Sequence, residues 1–354
     1  VACTVDETVD SAKGDPNLTI TPESGDPEGI DESVFALLNL DYPGLEKVKS
    51  FYEEEDMYMA AYYLLEYYRS RTEVYNSNPD LVNPTLTVAE KRIADQALEG
   101  RFYVKYGGVE SVDEVTGIET YWSFLDADGN VDWTFLPQGV DYKSEFSYQK
   151  NRHQWMLPQA KAYRATGNED YFNNWIDSYW SWLEKYPCPE GKTSQMEWTG
   201  LQLSSRISVQ TEILWYYIHS SGFTPALLTK FLKALYQHVE CQRSNWYNTA
   251  TSNIRLSQEQ AFTIAAIMYP EFAKSEEWLS EGASAIANQL ETQFLEDGVH
   301  NEFDISYHFG DTGLAAFTEL YSIASANDKL SLFPSDYKDK LYRATQFMKD
   351  VIYP

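Results

Sequence analysis

From Ser33 to the end of the chain, apolar residues recur every three to four positions, in stretches closed by Pro, Gly or Asn. That spacing is the period of a helix with one buried face, and strand-like alternation is almost absent. Helix followed by turn returns every 25 residues or so, which commits the chain to stacked helical hairpins, as an open solenoid or a closed toroid. The tetratricopeptide signature does not recur at its period of about 34 residues, which favours the toroid. Helices are expected over 57–68, 145–166 with an interruption near Pro158, 171–186, 201–219, 225–241, 257–268, 276–294, 312–324 and 337–352. The expected fold is all-α, an incomplete (α/α) toroid over residues 31–354.

Residues 1–30 differ: rich in Asp, Glu, Thr, Ser, Gly and Pro and without apolar periodicity, they read as a flexible acidic leader. The opening Val1-Ala2-Cys3 looks like the tail of a bacterial lipoprotein cleavage site. One reading is a lipid anchor on Cys3 of an exported protein, periplasmic or on the outer membrane. The other is a sequence boundary that happens to hold a cysteine. No run approaches the roughly 18 consecutive apolar residues of a membrane-spanning helix. Cys3, Cys188 and Cys241 are too few and too scattered for a disulfide framework.

Charge and motifs narrow the chemistry. A net charge of -27 excludes a nucleic-acid partner, whose phosphates need clustered Lys and Arg. An acidic polysaccharide would need a cleft with its own few cations. The five histidines, at 153, 219, 238, 300 and 308, show no metal-ligand spacing, and no Gly-rich phosphate loop or Gly-x-Ser-x-Gly elbow is present. No cofactor is therefore expected. Carbohydrate chemistry remains, by paired carboxylates or by a Tyr with Asn and His. Aromatic residues make up 15% of the chain, as stacking platforms for sugars or as helix packing. The irregular region 101–141, with Tyr106, Tyr121, Trp122, Trp133 and Phe135, reads as an aromatic loop over a cleft or as a packed surface loop.

One long constellation points further. Ser252-Asn253-Ile254-Arg255-Leu256, Glu259-Gln260-Ala261, Tyr269-Pro270-Glu271-Phe272, Trp278 and Asp297-Gly298-x-x-x-Glu302 lead into Tyr307-His308. In order and spacing this resembles the heparinase II/III-type polysaccharide lyases, heparinase III above all. Arg152-His153-Gln154-Trp155, Ala162-Tyr163-x-x-Thr166-Gly167 and Trp198-x-x-Leu201 with Arg206 are similar to the same family. The resemblance implies the helical toroid domain of a lyase that cleaves heparan sulfate or a related uronic-acid polymer by β-elimination. It implies Tyr307 as acid/base and Asn253 as the group that neutralises the uronate carboxylate. Such an amide stabilises charge as it develops on the carbanion, and a phenol can take and return a proton.

Arg255 and His308 are expected to line the same cleft and supply positive charge. Arg152, His153 and Arg206 are further candidates for gripping sulfate or carboxylate, and Trp133 and Trp198 for contacting sugar. The chain also departs from the family. Ile254 stands where the family has His, no His lies near Ile118 or Glu119, and Gln202 stands where an acid is usual. A β-sandwich-like domain carrying another histidine is expected after Pro354. Altered substrate choice or lost activity would follow from these departures. Two other functions stay open: a toroid glycoside hydrolase using a pair among Glu197, Glu302, Asp304 and Asp311, and a non-catalytic glycan-binding relative.

Overall fold

The structure, a computed structural model, describes residues 29–71, 86–104, 112–113, 117–118, 121–138, 143–310 and 313–352. The proposed leader and Cys3 lie outside them. The helices are α1 (Glu46–Glu53), α2 (Met57–Ser70), α3 (Val88–Leu98), α4 (Lys143–Lys150), α5 (Met156–Thr166), α6 (Glu169–Lys185), α7 (Gly200–Tyr217), α8 (Pro225–Ser244), α9 (Asn253–Met268), α10 (Ser275–Gln293), α11 (Ile305–Phe309), α12 (Leu314–Ala326) and α13 (Tyr337–Ile352). Local chemistry explains their ends. Thr87 and Glu90 form a reciprocal capping box on α3, Thr224 caps α8 ahead of Pro225, and Gly167 closes α5 in the left-handed region at φ 70°.

Two rows of helices make an incomplete (α/α) toroid. One row runs α3–α5–α7–α9–α12, each helix packed on the next, and α6, α8, α10 and α13 lie along it as the second row. In α9, eleven of its sixteen residues are buried, as expected for a helix covered by neighbours on both sides. Trp155, Trp175, Trp182, Trp198 and Trp278 are among the largest fully buried side chains, so much of the aromatic content is wall. The N-terminal segment is sewn onto the α9–α10 turn. Asn39 N donates to Glu271 O at 2.7 Å, and the buried Glu271 carboxylate takes Arg71 Nη1 at 2.7 Å and Tyr67 Oη at 2.7 Å. No helix among the described residues is long and apolar enough to cross a membrane.

Two expectations change. The helix expected over 145–166 is two helices, and the break is at residues 151–155, where His153 takes a left-handed φ of 56°. Pro158 lies in the first turn of α5, where its missing N–H costs nothing because that donor has no partner inside the helix. In the 101–141 region, β1 (Arg101–Tyr103) pairs antiparallel with β4 (Tyr121–Ser123), and β2 (Val112–Asp113) with β3 (Gly117–Ile118). Its described aromatic residues pack inward rather than over a cleft. Phe102 meets Trp155 with centroids 4.9 Å apart, and Trp133 is 4% exposed with its indole donating to Ser181 Oγ. The buried Lys150 Nζ ties the segment down through the carbonyls of Trp133 (2.5 Å) and Phe135 (2.8 Å), and burial pushes its pKa down to about 8. Tyr106 lies outside the described residues.

Candidate functional site

Antiparallel alternation of the hairpins gathers the N-termini of α5, α7, α9 and α12 at one end of the layer, with the C-termini of α6, α8 and α10. Arg152, His153, Trp198, Arg206, Asn253 and Arg255 lie at or within two turns of the N-termini of α5, α7 and α9, and Tyr307 and His308 lie on α11, ahead of α12. Helix N-termini carry partial positive charge, so this end suits an anion even in an acidic protein.

The part around α5 and α7 is closed. Arg206 is fully buried; Nη1 donates to Asn151 O (2.8 Å) and Gln202 O (3.2 Å), Nη2 to Glu197 O (2.5 Å), and the guanidinium lies 4.1 Å from the Trp182 ring. Burial works against its charge, and these carbonyls and indole faces offset that. His238 presents Nδ1 to Ala234 O at 2.8 Å and so receives Arg206 Nε at Nε2, 3.4 Å away. Burial first, then the Arg206 charge, hold its pKa at about 3. His153 sits in a box of Trp133, Trp155, Tyr179 and Trp182, without a partner on either ring nitrogen among the described residues, and burial keeps it neutral. Trp198 is fully buried against His238. Arg206, His153, Trp198 and Trp133, expected to grip or contact sugar, are thus buried in the wall. Arg152 is half-buried, 4.0 Å from Glu145.

Around α9 the site is open. The helix expected from 257 begins four residues earlier, where Ser252 caps α9: its hydroxyl accepts Arg255 N at 3.2 Å, so Asn253 is the first helical residue. Asn253 is half-buried; its Oδ1 accepts Ile254 N at 2.8 Å, and its amide NH2 has no partner among the described residues. Tyr307 stands on α11, 37% exposed. A buried polar chain runs between the residue before Asn253 and the turn that carries Tyr307. Arg255 Nε bonds Glu259; Gln289 Nε2 donates to Glu259 Oε2 (2.9 Å); and Gln293 Nε2 donates to Gln289 Oε1 (2.6 Å) and to Ser252 O (3.4 Å). Gln293 Oε1 accepts His300 Nε2 at 3.1 Å. Burial raises the Glu259 pKa, and Arg255 and Gln289 pull it back.

Both histidines of this segment are held as the Nε2–H tautomer. His300 Nδ1 accepts Glu302 N (3.3 Å); His308 Nδ1 accepts His300 N (3.2 Å), leaving its Nε2–H for Ala344 O at 3.0 Å. Burial lowers both pKa values. His308 therefore braces the turn that carries Tyr307 and brings no charge to a cleft. Arg255 is likewise engaged, by Glu259, by Tyr247 O at 3.2 Å and by the Trp246 ring. Sequence reading missed Gln289 and Gln293 as site residues. Their one signal was two polar residues four apart on a face otherwise apolar. Of the carboxylates, Asp304 is spent as the α11 cap and stays ionised through Ser306 and Tyr307, Glu302 is exposed, and Asp311 lies outside the described residues. Among the described residues no three His, Cys, Asp or Glu side chains converge to hold a metal ion.

Residues 34–354 match the family described as Heparinase II/III N-terminus. A heparin-sulfate lyase of Bacteroides thetaiotaomicron is 36% identical over 344 residues, 96% of this chain and 47% of that protein. One of Bacteroides stercoris is 30% identical, over 91% of this chain and 48% of that protein. Among solved structures, a heparinase III superposes with a TM-score of 0.81 at 38% identity, covering 90% of this chain and 47% of the other. The heparan sulfate lyase of Pedobacter heparinus gives 0.73 at 26%, covering 90% and 48%. The chain spans about half the length of the curated relatives it matches.

Proposed function

The chain belongs to the heparinase II/III family by its N-terminal region, and on that premise we propose that it is the helical part of a lyase acting on heparan sulfate or a related uronate polymer. Elimination breaks the C5–H bond and the C4–O bond of the uronate and forms the C4–C5 double bond. Tyr307 takes the C5 proton and returns one to the leaving oxygen. Negative charge gathers on the adjacent carboxylate, where the NH2 of Asn253 donates at the positive end of α9.

The observation that carries this reading is the pairing of an unspent Asn amide with an exposed phenol, through Gln293, which touches both Ser252 and the brace of the Tyr307 turn. Phe303, Ile305 and Phe309 are 77%, 53% and 60% exposed around Tyr307, which suits a cleft completed by a further domain. The test is incubation of the full-length protein with heparan sulfate, following the ultraviolet absorbance of the unsaturated uronate. Absorbance should rise with the wild type and fall about 10²–10³-fold in rate with Asn253→Ala. New reducing ends without that absorbance would mean hydrolysis and would end the lyase reading. A lipid on Cys3 is part of the proposal: labelled fatty acid should enter the protein and be lost with Cys3→Ser.

A further inference from the structure

Beside the start of α9 lies a pocket of about 450 Å³ that the reaction chemistry above does not use, lined by residues of three segments: 192–193, 199–200 and 243–248. Its walls are built. Asn245 clips the first segment to the end of α8, accepting Thr193 N at 2.8 Å through Oδ1 and donating to Gly191 O at 2.9 Å and Cys241 O at 2.8 Å. Gln258, fully buried in α9, clips the other two, accepting Tyr247 N at 2.8 Å and donating to Gly200 O at 3.5 Å. Arg255 fastens Tyr247 a second time through its carbonyl. Both backbone polar groups of Tyr247 are thus held by residues two and five positions after Asn253. A helix rises 1.5 Å per residue, so this wall stands within roughly 8 Å of Asn253 along the α9 axis.

The lining has the chemistry of an anionic sugar. Lys192 is exposed and makes no ion pair among the described residues, whereas Arg243 on the same pocket is consumed by Glu277 and Glu281. Tyr247 is 41% exposed, Trp246 is half-buried beside it, and Thr199, Ser244 and Asn248 offer hydroxyl and amide groups. An unpaired ammonium next to exposed aromatic surface, in a preformed hollow, is the combination that binds a carboxylated or sulfated ring. We propose that this pocket is a subsite for an acidic sugar unit flanking the one held at Asn253, with Lys192 meeting its carboxylate or sulfate and Tyr247 its ring. The proposal rests on the lyase reading and adds to it where the polymer runs.

The test is calorimetric titration of the protein with a heparan sulfate hexasaccharide and a disaccharide. Wild type should bind the hexasaccharide more tightly. Lys192→Ala and Tyr247→Ala should each weaken the hexasaccharide about three- to tenfold, Lys192→Glu more, and Lys192→Arg should recover most of the loss. The Lys192→Ala deficit should shrink at high salt, since the contact is an exposed charge. Both side chains are exposed, and unchanged melting temperatures would show that the fold is intact. Equal hexasaccharide affinity in wild type, Lys192→Glu and Tyr247→Ala would overturn the subsite while leaving the lyase reading standing. A wild type that binds no uronate oligosaccharide would overturn both.

Discussion

Two regions of this toroid carry sequence patterns of one family and have become different materials. Around α5 and α7, Arg206, His153, His238 and Trp198 are sealed among aromatic rings; their polar atoms are spent on backbone carbonyls or on one another, except for His153, whose ring nitrogens have no partner among the described residues. Around α9 and α11, the polar groups form a chain that runs from the Ser252 carbonyl, beside the half-buried Asn253, to His300 and His308, beside the exposed Tyr307. The difference lies in where desolvation falls. In the first region the cations themselves are buried and serve the wall. In the second, burial falls on the amides, neutral imidazoles and the Glu259 carboxylate that brace the site, and the Tyr307 phenol stays in contact with solvent.

That contrast can be broken by experiment, most forcefully at Tyr307. Tyr307→Phe should lower kcat about 10²–10⁴-fold, as loss of an acid/base group does. Its melting temperature should not move, because the phenol oxygen has no partner among the described residues; a parallel loss of stability would mean that the open region is wall too. The mirror experiment is Arg206→Met. It strands three carbonyls and two indole faces, and should cost about 3–5 kcal/mol in denaturant unfolding. A variant that keeps its stability and loses only substrate affinity would return Arg206 to the cleft.

Gln293→Leu probes the brace between the two reactive residues and should do some of each. Removing the fork leaves Ser252 O, Gln289 and His300 short of partners, for about 1–3 kcal/mol of stability. It should lower kcat more than it raises KM, since positioning rather than binding is lost. An unchanged kcat would mean the chain is structural only.

At neutral pH the histidines leave no trace of their burial, and their effect is confined to acid. Every histidine in the chain has its folded pKa lowered, by burial first. The unfolded chain therefore takes up protons that the folded one refuses. Stability should be fully present above pH about 6.5 and fall as pH drops below it, toward about 4 for His219 and about 3 for His238. For the fully buried His153 and His238 the slope is at most about 1.4 kcal/mol per pH unit each. His153→Phe should flatten the acid limb of unfolding free energy by about one proton; an unaltered slope would place that proton elsewhere.

Helical period, capping residues and the order of motifs were enough to read an all-α double layer and its family, and to nominate the pair Asn253 and Tyr307, because those signals are local or survive as spacing along the chain. The position of Pro158 was also local, yet ambiguous: a proline ends one helix or sits in the first turn of the next, and only the left-handed turn at His153 shows which. Burial was not legible. Whether Arg206 meets water depends on Asn151, Trp182 and Trp198, and whether His308 can carry charge depends on His300 and Ala344, 36 residues away. The brace through Glu259, Gln289 and Gln293 exists only because α9 packs on α10. Spacing along the chain records which residues are present. The dielectric around a charge and the partner of each polar atom are set by neighbours distant in sequence, and so belong to the tertiary structure.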